Sequence, residues 1–263
     1  MVQRPPDTWE VGAAYESFIG RWSKSVACEF LPWVNAPQHS RWLDVGCGTG
    51  QLSRTILELT SPREVVGIDS SEGFLGHARA STPSATFQQA NAMQLPFETS
   101  AFDATVSGLM LNFVPEPNRA VAEMARVTRA GGTVALYVWD YAQGMQLIRY
   151  FFEAAAVVDP TAAEHDEGRR FPLCQPEPLR RLFEQAGLTD VEVRGIDIPT
   201  DFVDFDDYWG PFLGGQGAAP SYLMSLDEEH RVAIREQLRR TLPTEPDGKI
   251  HLSARAWAIR GQR

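Results

Sequence analysis

An acidic residue and three glycines at fixed spacing, directly after a predicted buried strand, are the residues of this chain best placed to bind a ligand. They are Asp44, Gly46, Gly48 and Gly50, and an amphipathic helix is predicted to follow them. Glycine has no side chain, so a ligand can approach the backbone of this turn, and the first turn of the helix offers free N–H groups. A second apolar run ends at Asp69, where a βαβ unit places an acid beside a ribose. The pattern predicts a nucleoside-bearing cofactor.

The details of the turn favour one class of cofactor over another. A dinucleotide fingerprint requires G-x-G-x-x-G, and Gln51 stands where its third glycine would be. The carboxylate of Asp44 would repel a pyrophosphate and attract a cation, the more strongly if the site is partly buried. S-adenosylmethionine (SAM) carries a sulfonium, an α-amino group and a ribose, but no phosphate. The motif therefore favours SAM, with a nicotinamide or flavin cofactor as the alternative.

Composition and charge exclude several other functions. The 263 residues carry a net charge of −10 with acidic residues spread throughout, which argues against a nucleic-acid substrate and is compatible with a small molecule. The three cysteines are unpatterned and the five histidines lack zinc spacing, so we expect a reducing compartment and no metal. No 18-residue apolar run or hydrophobic signal segment occurs, so we expect a cytoplasmic protein without membrane insertion. The oligomeric state stays open.

Strands and helices alternate from residue 41 onward, which is typical of a doubly wound parallel sheet in an α/β fold. The predicted strands span 41–45, 64–69, 85–90, 102–107, 133–139, 188–196 and 253–260. The predicted helices include 12–34, 71–80, 116–129, 141–158 and 176–186. This organisation predicts an N-terminal helical cover over 1–40, a core over 41–198 and 250–263, and a lid or substrate insertion over 199–249.

Four stretches in this order resemble the motifs of class I SAM-dependent methyltransferases, in particular the group similar to ubiquinone and menaquinone C-methyltransferases. They are LDVGCGTGQ, VVGIDSS, ANAMQLPFETSAFDATVS and VTRAGGTVAL, within residues 41–140. The resemblance implies a Rossmann-like seven-stranded sheet with an antiparallel last strand and helical lid insertions. It also implies methyl transfer from SAM to a small organic acceptor by in-line displacement.

The resemblance assigns cofactor-binding roles to matching positions. Asp44 would lie near the methionine amino group, and Asp69 would accept hydrogen bonds from both ribose hydroxyls. Gly46 and Gly48 would let SAM approach the backbone. The N-terminal helix would fold over SAM, with Arg21 on its carboxylate, although a solvated Arg21 is an equally good interpretation. The remaining expected contacts are Tyr15 over the methionine chain, Phe74 near the nucleoside, Ser70, Asn91 and Ala92 at the adenine, and Ser107 and Gly108 beside the methionine part.

The chain departs from the family pattern at three positions. Asn91 replaces the usual aspartate, Ser70 replaces a common apolar residue, and Asn112 takes a place where histidine is common. The last change leaves the general base, if one is used, unassigned. His165 and Asp166 are the best candidates outside the core, with a solvated acidic loop as the alternative. A SAM-binding regulatory module without turnover is the second hypothesis, because the motif reports binding alone.

Overall fold

The computed structural model describes residues 20–215 and 217–263, which form two compact units. The sheet unit comprises Ser23–Trp139, Leu173–Ile196 and Ala256–Arg263. The helical unit comprises Asp140–Pro172, Asp197–Arg255 and the described residues that precede Ser23. The boundaries expected from sequence kept 140–172 with the sheet, whereas in the structure this segment groups with the residues of the expected lid.

Seven strands form one sheet in the order β3-β2-β1-β4-β5-β7-β6. Strands β1 to β5 pair in parallel, and β7 pairs antiparallel to β5. The predicted Rossmann-like fold with an antiparallel strand at the end of the chain is confirmed. The strands are β1 (Arg41–Val45), β2 (Glu64–Asp69), β3 (Thr86–Gln89), β4 (Phe102–Gly108), β5 (Thr128–Trp139), β6 (Thr189–Phe202) and β7 (Ile250–Gln262).

Helices connect the strands and make up most of the helical unit. In the sheet unit, the connections after β1, β2 and β4 are helical, as the alternating pattern predicts. The helices are α1 (Arg21–Val34), α2 (Gln51–Leu59), α3 (Glu72–Ser81), α4 (Pro117–Val127), α5 (Gln146–Val158), α6 (Glu167–Arg170), α7 (Pro176–Gln185), α8 (Phe205–Trp209), α9 (Ala218–Ser225) and α10 (Glu228–Thr241).

The order of strands creates the site where a ligand of this fold class binds. In the sheet, β1 lies between β2 and β4. The connection after β1 leads to β2 on one side, whereas the connection after β4 leads to β5 on the other side, so the two connections diverge. Ligands of open α/β sheets bind at such a switch point, outside the carboxyl ends of the strands. Residues 134–139 of β5 are almost fully buried, as expected for a parallel strand covered on both faces.

Several predicted element boundaries are wrong, and the clearest case lies between α4 and β5. Helix α4 ends at Val127 instead of continuing to 129, and β5 begins at Thr128 instead of 133. The buried Thr128 hydroxyl lies 2.7 Å from the hydroxyl of Thr105 and 2.7 Å from the carbonyl oxygen of Met124. These contacts hold Thr128 against β4, so the chain becomes extended before Gly131 is reached.

Helix α1 covers the sheet with the apolar stripe that its sequence predicts. Phe30 is fully buried, and its ring lies 4.8 Å from the ring of Tyr137 on β5. The predicted helix begins at residue 12, and its first eight residues, including Tyr15, lie outside the described residues. The described helix begins at Arg21.

Aromatic side chains form the core of the helical unit. Phe151 of α5 and Phe212 stack with ring centroids 4.6 Å apart and an interplanar angle of 11°. Tyr208 of α8 is fully buried and donates a hydrogen bond to the carbonyl oxygen of Leu147 at 2.9 Å. Among the described helices, none has the length and apolar character needed to cross a bilayer.

Candidate functional site

The glycine turn connects β1 to α2 and is hydrogen-bonded to the carboxyl end of β2. The backbone N–H groups of Gly46 and Cys47 both donate to the carbonyl oxygen of Ile68 at 2.8 Å. Gly46, Gly48 and Gly50 have φ values of 73°, 53° and 87°. Most residues with a side chain disfavour this left-handed region, so the backbone conformation of the turn itself favours glycine at the three positions.

The space beside the turn differs between two of its glycines. A Cβ atom added to Gly48 would meet no heavy atom within 4 Å outside its chain neighbours. A Cβ added to Gly46 would lie 2.2 Å from the Cγ atom of Met110. The backbone is therefore accessible at Gly48, whereas Met110 packs against Gly46.

Asp44 is a buried carboxyl group without a full set of hydrogen bonds. Its side chain has no exposed surface, and its Oδ2 atom accepts a hydrogen bond from the Ser53 hydroxyl of α2 at 2.7 Å. Its Oδ1 atom has no hydrogen-bond partner among the described residues. Burial raises the pKa of Asp44 to about 7, with a smaller contribution from the negative charge of Asp69, while the Ser53 hydrogen bond acts in the opposite direction.

Asp69 holds the turn with both of its carboxylate oxygens. Oδ2 accepts from the backbone N–H of Gly48 at 2.9 Å, and Oδ1 accepts from that of Ser71 at 2.8 Å. Burial is the main cause that raises the pKa of Asp69, and these backbone hydrogen bonds oppose it. A carboxylate has about four acceptor positions, so both oxygens can still accept hydrogen bonds from a ligand.

The carboxyl ends of β2 and β3 carry the residues expected near an adenine. Ser70 is exposed, and Phe74 is half-buried in the first turn of α3, where its N–H donates to the Ser71 side chain. Asn91 is exposed, and its Oδ1 atom accepts from the N–H of Met93 at 2.9 Å. Ala92 follows directly, half-buried. These positions lie along the same edge as Asp69 because β2 and β3 are parallel neighbours.

The end of β4 and the segment that follows it contain a strained residue and two buried polar side chains without partners among the described residues. Leu109 has φ 60°, a conformation that bulky residues rarely adopt. Ser107 is 1% exposed, and its hydroxyl has no partner among the described residues. Asn112 lies in a short 3-10 helix (Leu111–Phe113), and both polar atoms of its side chain are buried without partners in this part of the chain. Gly108 contacts the hydroxyl end of Tyr137, which a Cβ atom would approach to 2.6 Å.

Comparisons with known proteins decide the family. Residues 43–136 match the family model described as a methyltransferase domain. The chain is 32% identical over 166 residues to demethylmenaquinone methyltransferase of Staphylococcus aureus, an alignment that covers 58% of this chain and 69% of that protein. This chain belongs to the SAM-dependent methyltransferase family.

Solved structures show the same fold for this methyltransferase. The YcgJ protein of Bacillus subtilis has a TM-score of 0.59 at 18% identity, covering 92% of this chain and 98% of its own. Phosphoethanolamine N-methyltransferase 2 of Haemonchus contortus, solved with S-adenosylhomocysteine, has a TM-score of 0.60 at 16% identity, covering 96% of this chain and 56% of its own. The cofactor of this methyltransferase is SAM.

The residues at the switch point of the methyltransferase fit a cationic nucleoside. The buried carboxylate of Asp44, whose Oδ1 atom has no partner among the described residues, adds a negative charge that favours an ammonium group, and the region beside Gly48 is open to a ligand. Asp69 adds acceptor oxygens at the next strand end. These residues are not suited to bind a phosphate, because the two carboxylates would repel an anion.

Arg21 has a different partner from the one expected. Its Nη1 atom donates to Asp207 Oδ1 at 2.7 Å, and its Nη2 atom lies 3.4 Å from Oδ2. Its guanidinium also lies 4.5 Å from the ring centroid of Trp22 and 4.7 Å from that of Phe202. All of these residues belong to the helical unit. Arg21 therefore has a carboxylate partner from the protein itself, in place of the expected carboxylate of the cofactor.

His165 and Asp166 of the methyltransferase have structural partners in the helical unit. The His165 ring stacks on Tyr222 with a centroid distance of 4.8 Å. Asp166 caps α6 by accepting from the N–H of Gly168 at 2.8 Å, and it forms a two-point ion pair with Arg149. A carboxylate held by a guanidinium and a backbone N–H is suited to a structural role more than to that of a base.

Asp166→Asn should destabilise the methyltransferase by about 3 kcal/mol, since it leaves the charge of Arg149 without its partner in a largely buried site. Urea unfolding measures this loss, and affinity for S-adenosylhomocysteine should not change. Glu177→Gln is the matched control, because its ion pair with Arg181 is exposed, and we expect less than about 0.5 kcal/mol. A large fall in kcat with unchanged stability would instead identify Asp166 as the base.

Two residues of the site were not found from the sequence. The position of Ser53, three residues past Gly50 in α2, was a signal that its hydroxyl could face β1. Met110 gave no such signal, because its contact with Gly46 depends on the left-handed turn at Leu109.

Proposed function

We propose that this enzyme methylates a small organic acceptor by in-line displacement, with SAM bound across the carboxyl ends of β1, β2 and β4. The observation that carries the proposal is the pair of carboxylates, the buried Asp44 and the half-buried Asp69, on either side of the glycine turn. The arrangement suits a ligand that has a positive charge near one carboxylate and hydroxyl groups near the other. The acidic net charge of −10 favours a small molecule over a nucleic acid.

SAM supplies an activated methyl group on a sulfonium leaving group. The enzyme's own contribution is to hold the two reactants in line and to exclude water, and alignment of this kind can lower a barrier by about 7–11 kcal/mol. In our proposal Asp69 orients the ribose, Asp44 orients the amino group, and the open backbone at Gly48 lies against the cofactor. A general base is required only if the acceptor atom must lose a proton.

Two measurements test the proposal. Calorimetry should show binding of SAM and S-adenosylhomocysteine but not of NAD, and stabilisation by NAD alone would reject the cofactor site. Methyl transfer should then be measured with a panel of small acceptors. Demethylmenaquinone belongs in the panel because the Staphylococcus aureus relative is named for it. Tight SAM binding without transfer to any acceptor would favour a regulatory SAM-binding protein.

A further inference from the structure

The amide of Asn112 is an unusual feature of the free protein. Its Oδ1 and Nδ2 atoms are both buried, and neither has a partner among the described residues. Leaving a buried polar group unpaired is unfavourable, and such a group in a native structure calls for a specific explanation. A ligand that supplies the missing hydrogen bonds is one such explanation.

The backbone places Asn112 beside the proposed cofactor site. Strands β1 and β4 are parallel neighbours with Asp44 in register with Val106, so the chain leaves β4 next to the end of β1. Met110 packs against Gly46 of the glycine turn, and Asn112 follows two residues later. The segment that carries the unpaired amide therefore lies along the edge that binds the ligand.

The charge pattern indicates which part of the ligand the amide suits. SAM ends in an α-amino acid, which has an ammonium and a carboxylate group. Asp44 and Asp69 suit the ammonium and the hydroxyl groups, but neither can donate to a carboxylate when ionised. The cation expected for that carboxylate, Arg21, is instead paired with Asp207 and packed against two aromatic rings. A neutral donor in the sheet unit would supply the hydrogen bond that this carboxylate requires.

We propose that the side-chain amide of Asn112 binds the α-carboxylate of the cofactor through its Nδ2 donor. The inference rests on the proposed function, because it takes SAM to bind at this edge. The hydroxyl of Ser107, at the end of β4, is also buried without a partner among the described residues and is a second donor on this side of β1.

Calorimetry with two probes tests the proposal on the full chain. S-adenosylhomocysteine has the amino-acid part, and 5′-methylthioadenosine has the nucleoside and sulfur without it. Asn112→Leu should weaken S-adenosylhomocysteine binding about tenfold or more and leave 5′-methylthioadenosine binding within twofold of wild type. Asn112→Asp should weaken S-adenosylhomocysteine further, because it adds a negative charge next to the carboxylate.

The controls separate a binding role from a structural one. The melting temperature of free Asn112→Leu should not fall, since leucine removes two unpaired polar atoms while keeping a similar volume. Asn118→Leu, at an exposed position of α4, should leave both probes unaffected. Arg21→Leu should leave S-adenosylhomocysteine binding within twofold of wild type.

Three results would overturn the inference. They are unchanged S-adenosylhomocysteine affinity in Asn112→Leu, an equal loss for both probes, and a tenfold loss in Arg21→Leu with none in Asn112→Leu. In each of these cases wild-type binding stands, and so does the proposed function. Failure of the wild-type protein to bind S-adenosylhomocysteine would reject both proposals together.

Discussion

Asp44→Asn is expected to stabilise the free enzyme at pH 8 while weakening SAM binding about 100-fold. At that pH the buried Asp44 is ionised in the wild type, beside the negative charge of Asp69 and hydrogen-bonded to Ser53. Asparagine has nearly the same shape without the charge. The cation of the cofactor then loses its counter-charge, and such losses in buried pairs are on the order of 2–5 kcal/mol.

The sign of the stability change follows from proton linkage. The pKa of Asp44 rises on folding from 3.8 to about 7, so the folded state binds the proton more tightly than the unfolded state. The stability that this carboxyl contributes is fully present below pH 4 and is lost as the pH rises through 7. At about 1.4 kcal/mol for each pKa unit, the loss is on the order of 4 kcal/mol. The Asp44→Asn variant has no carboxyl group to ionise at this position, so its free energy of unfolding does not fall for this reason as the pH rises.

Urea unfolding at pH 5 and pH 8 measures the effect on stability, and calorimetry measures the effect on binding. Wild-type and variant should differ in stability far more at pH 8 than at pH 5. Wild-type affinity for SAM should also rise between pH 6 and pH 8, as the carboxyl loses its proton. Ser53→Ala should move that rise to higher pH, because it removes a hydrogen bond that lowers the pKa. A variant that is less stable than wild type at pH 8 would contradict this account of Asp44.

The succession of strands and helices along the chain could be predicted because it depends on local apolar patterns. Each parallel strand is a short apolar run, and the alternation with helices leaves few possible topologies. Boundaries were less predictable where tertiary contacts decide them. Thr128 becomes extended because of a hydroxyl on β4, 23 residues earlier in the chain. Strand β6 continues past Pro199, which an edge strand tolerates, so the strand is longer than the sequence indicated.

In the candidate site, too, the residues fixed by a local motif could be predicted, whereas contacts between distant parts of the chain could not. Asp44 and Asp69 were found because a local motif fixes them beside the glycine turn. The ion pair between Arg21 and Asp207 joins residues 186 positions apart, and no local pattern reports it. The unpaired amide of Asn112 depends likewise on how the chain turns after β4. The cofactor could therefore be inferred from sequence, whereas the acceptor depends on side chains that only the fold brings together.

Asp69→Ala is expected to weaken SAM binding by about 1.5–3 kcal/mol, the scale of hydrogen bonds to a charged group. This corresponds to a loss of about 10- to 150-fold in affinity. The structure adds a second effect, because Asp69 also accepts from the N–H groups of Gly48 and Ser71. Alanine leaves both donors without their acceptor, so the free protein should lose stability as well.

Asp69→Asn separates the two effects, since an amide oxygen can still accept one backbone hydrogen bond without the charge. Its stability should lie between that of wild type and Asp69→Ala, and its SAM affinity should still fall. Asp103→Asn is the matched control, because Asp103 also accepts from a backbone N–H, that of Arg41 at 2.7 Å, but lies at the start of β4. Calorimetry at pH 8 should give this control wild-type affinity. Wild-type affinity in both Asp69 variants would instead show that the ribose lies elsewhere, since a carboxylate that binds its hydroxyls cannot be removed without loss.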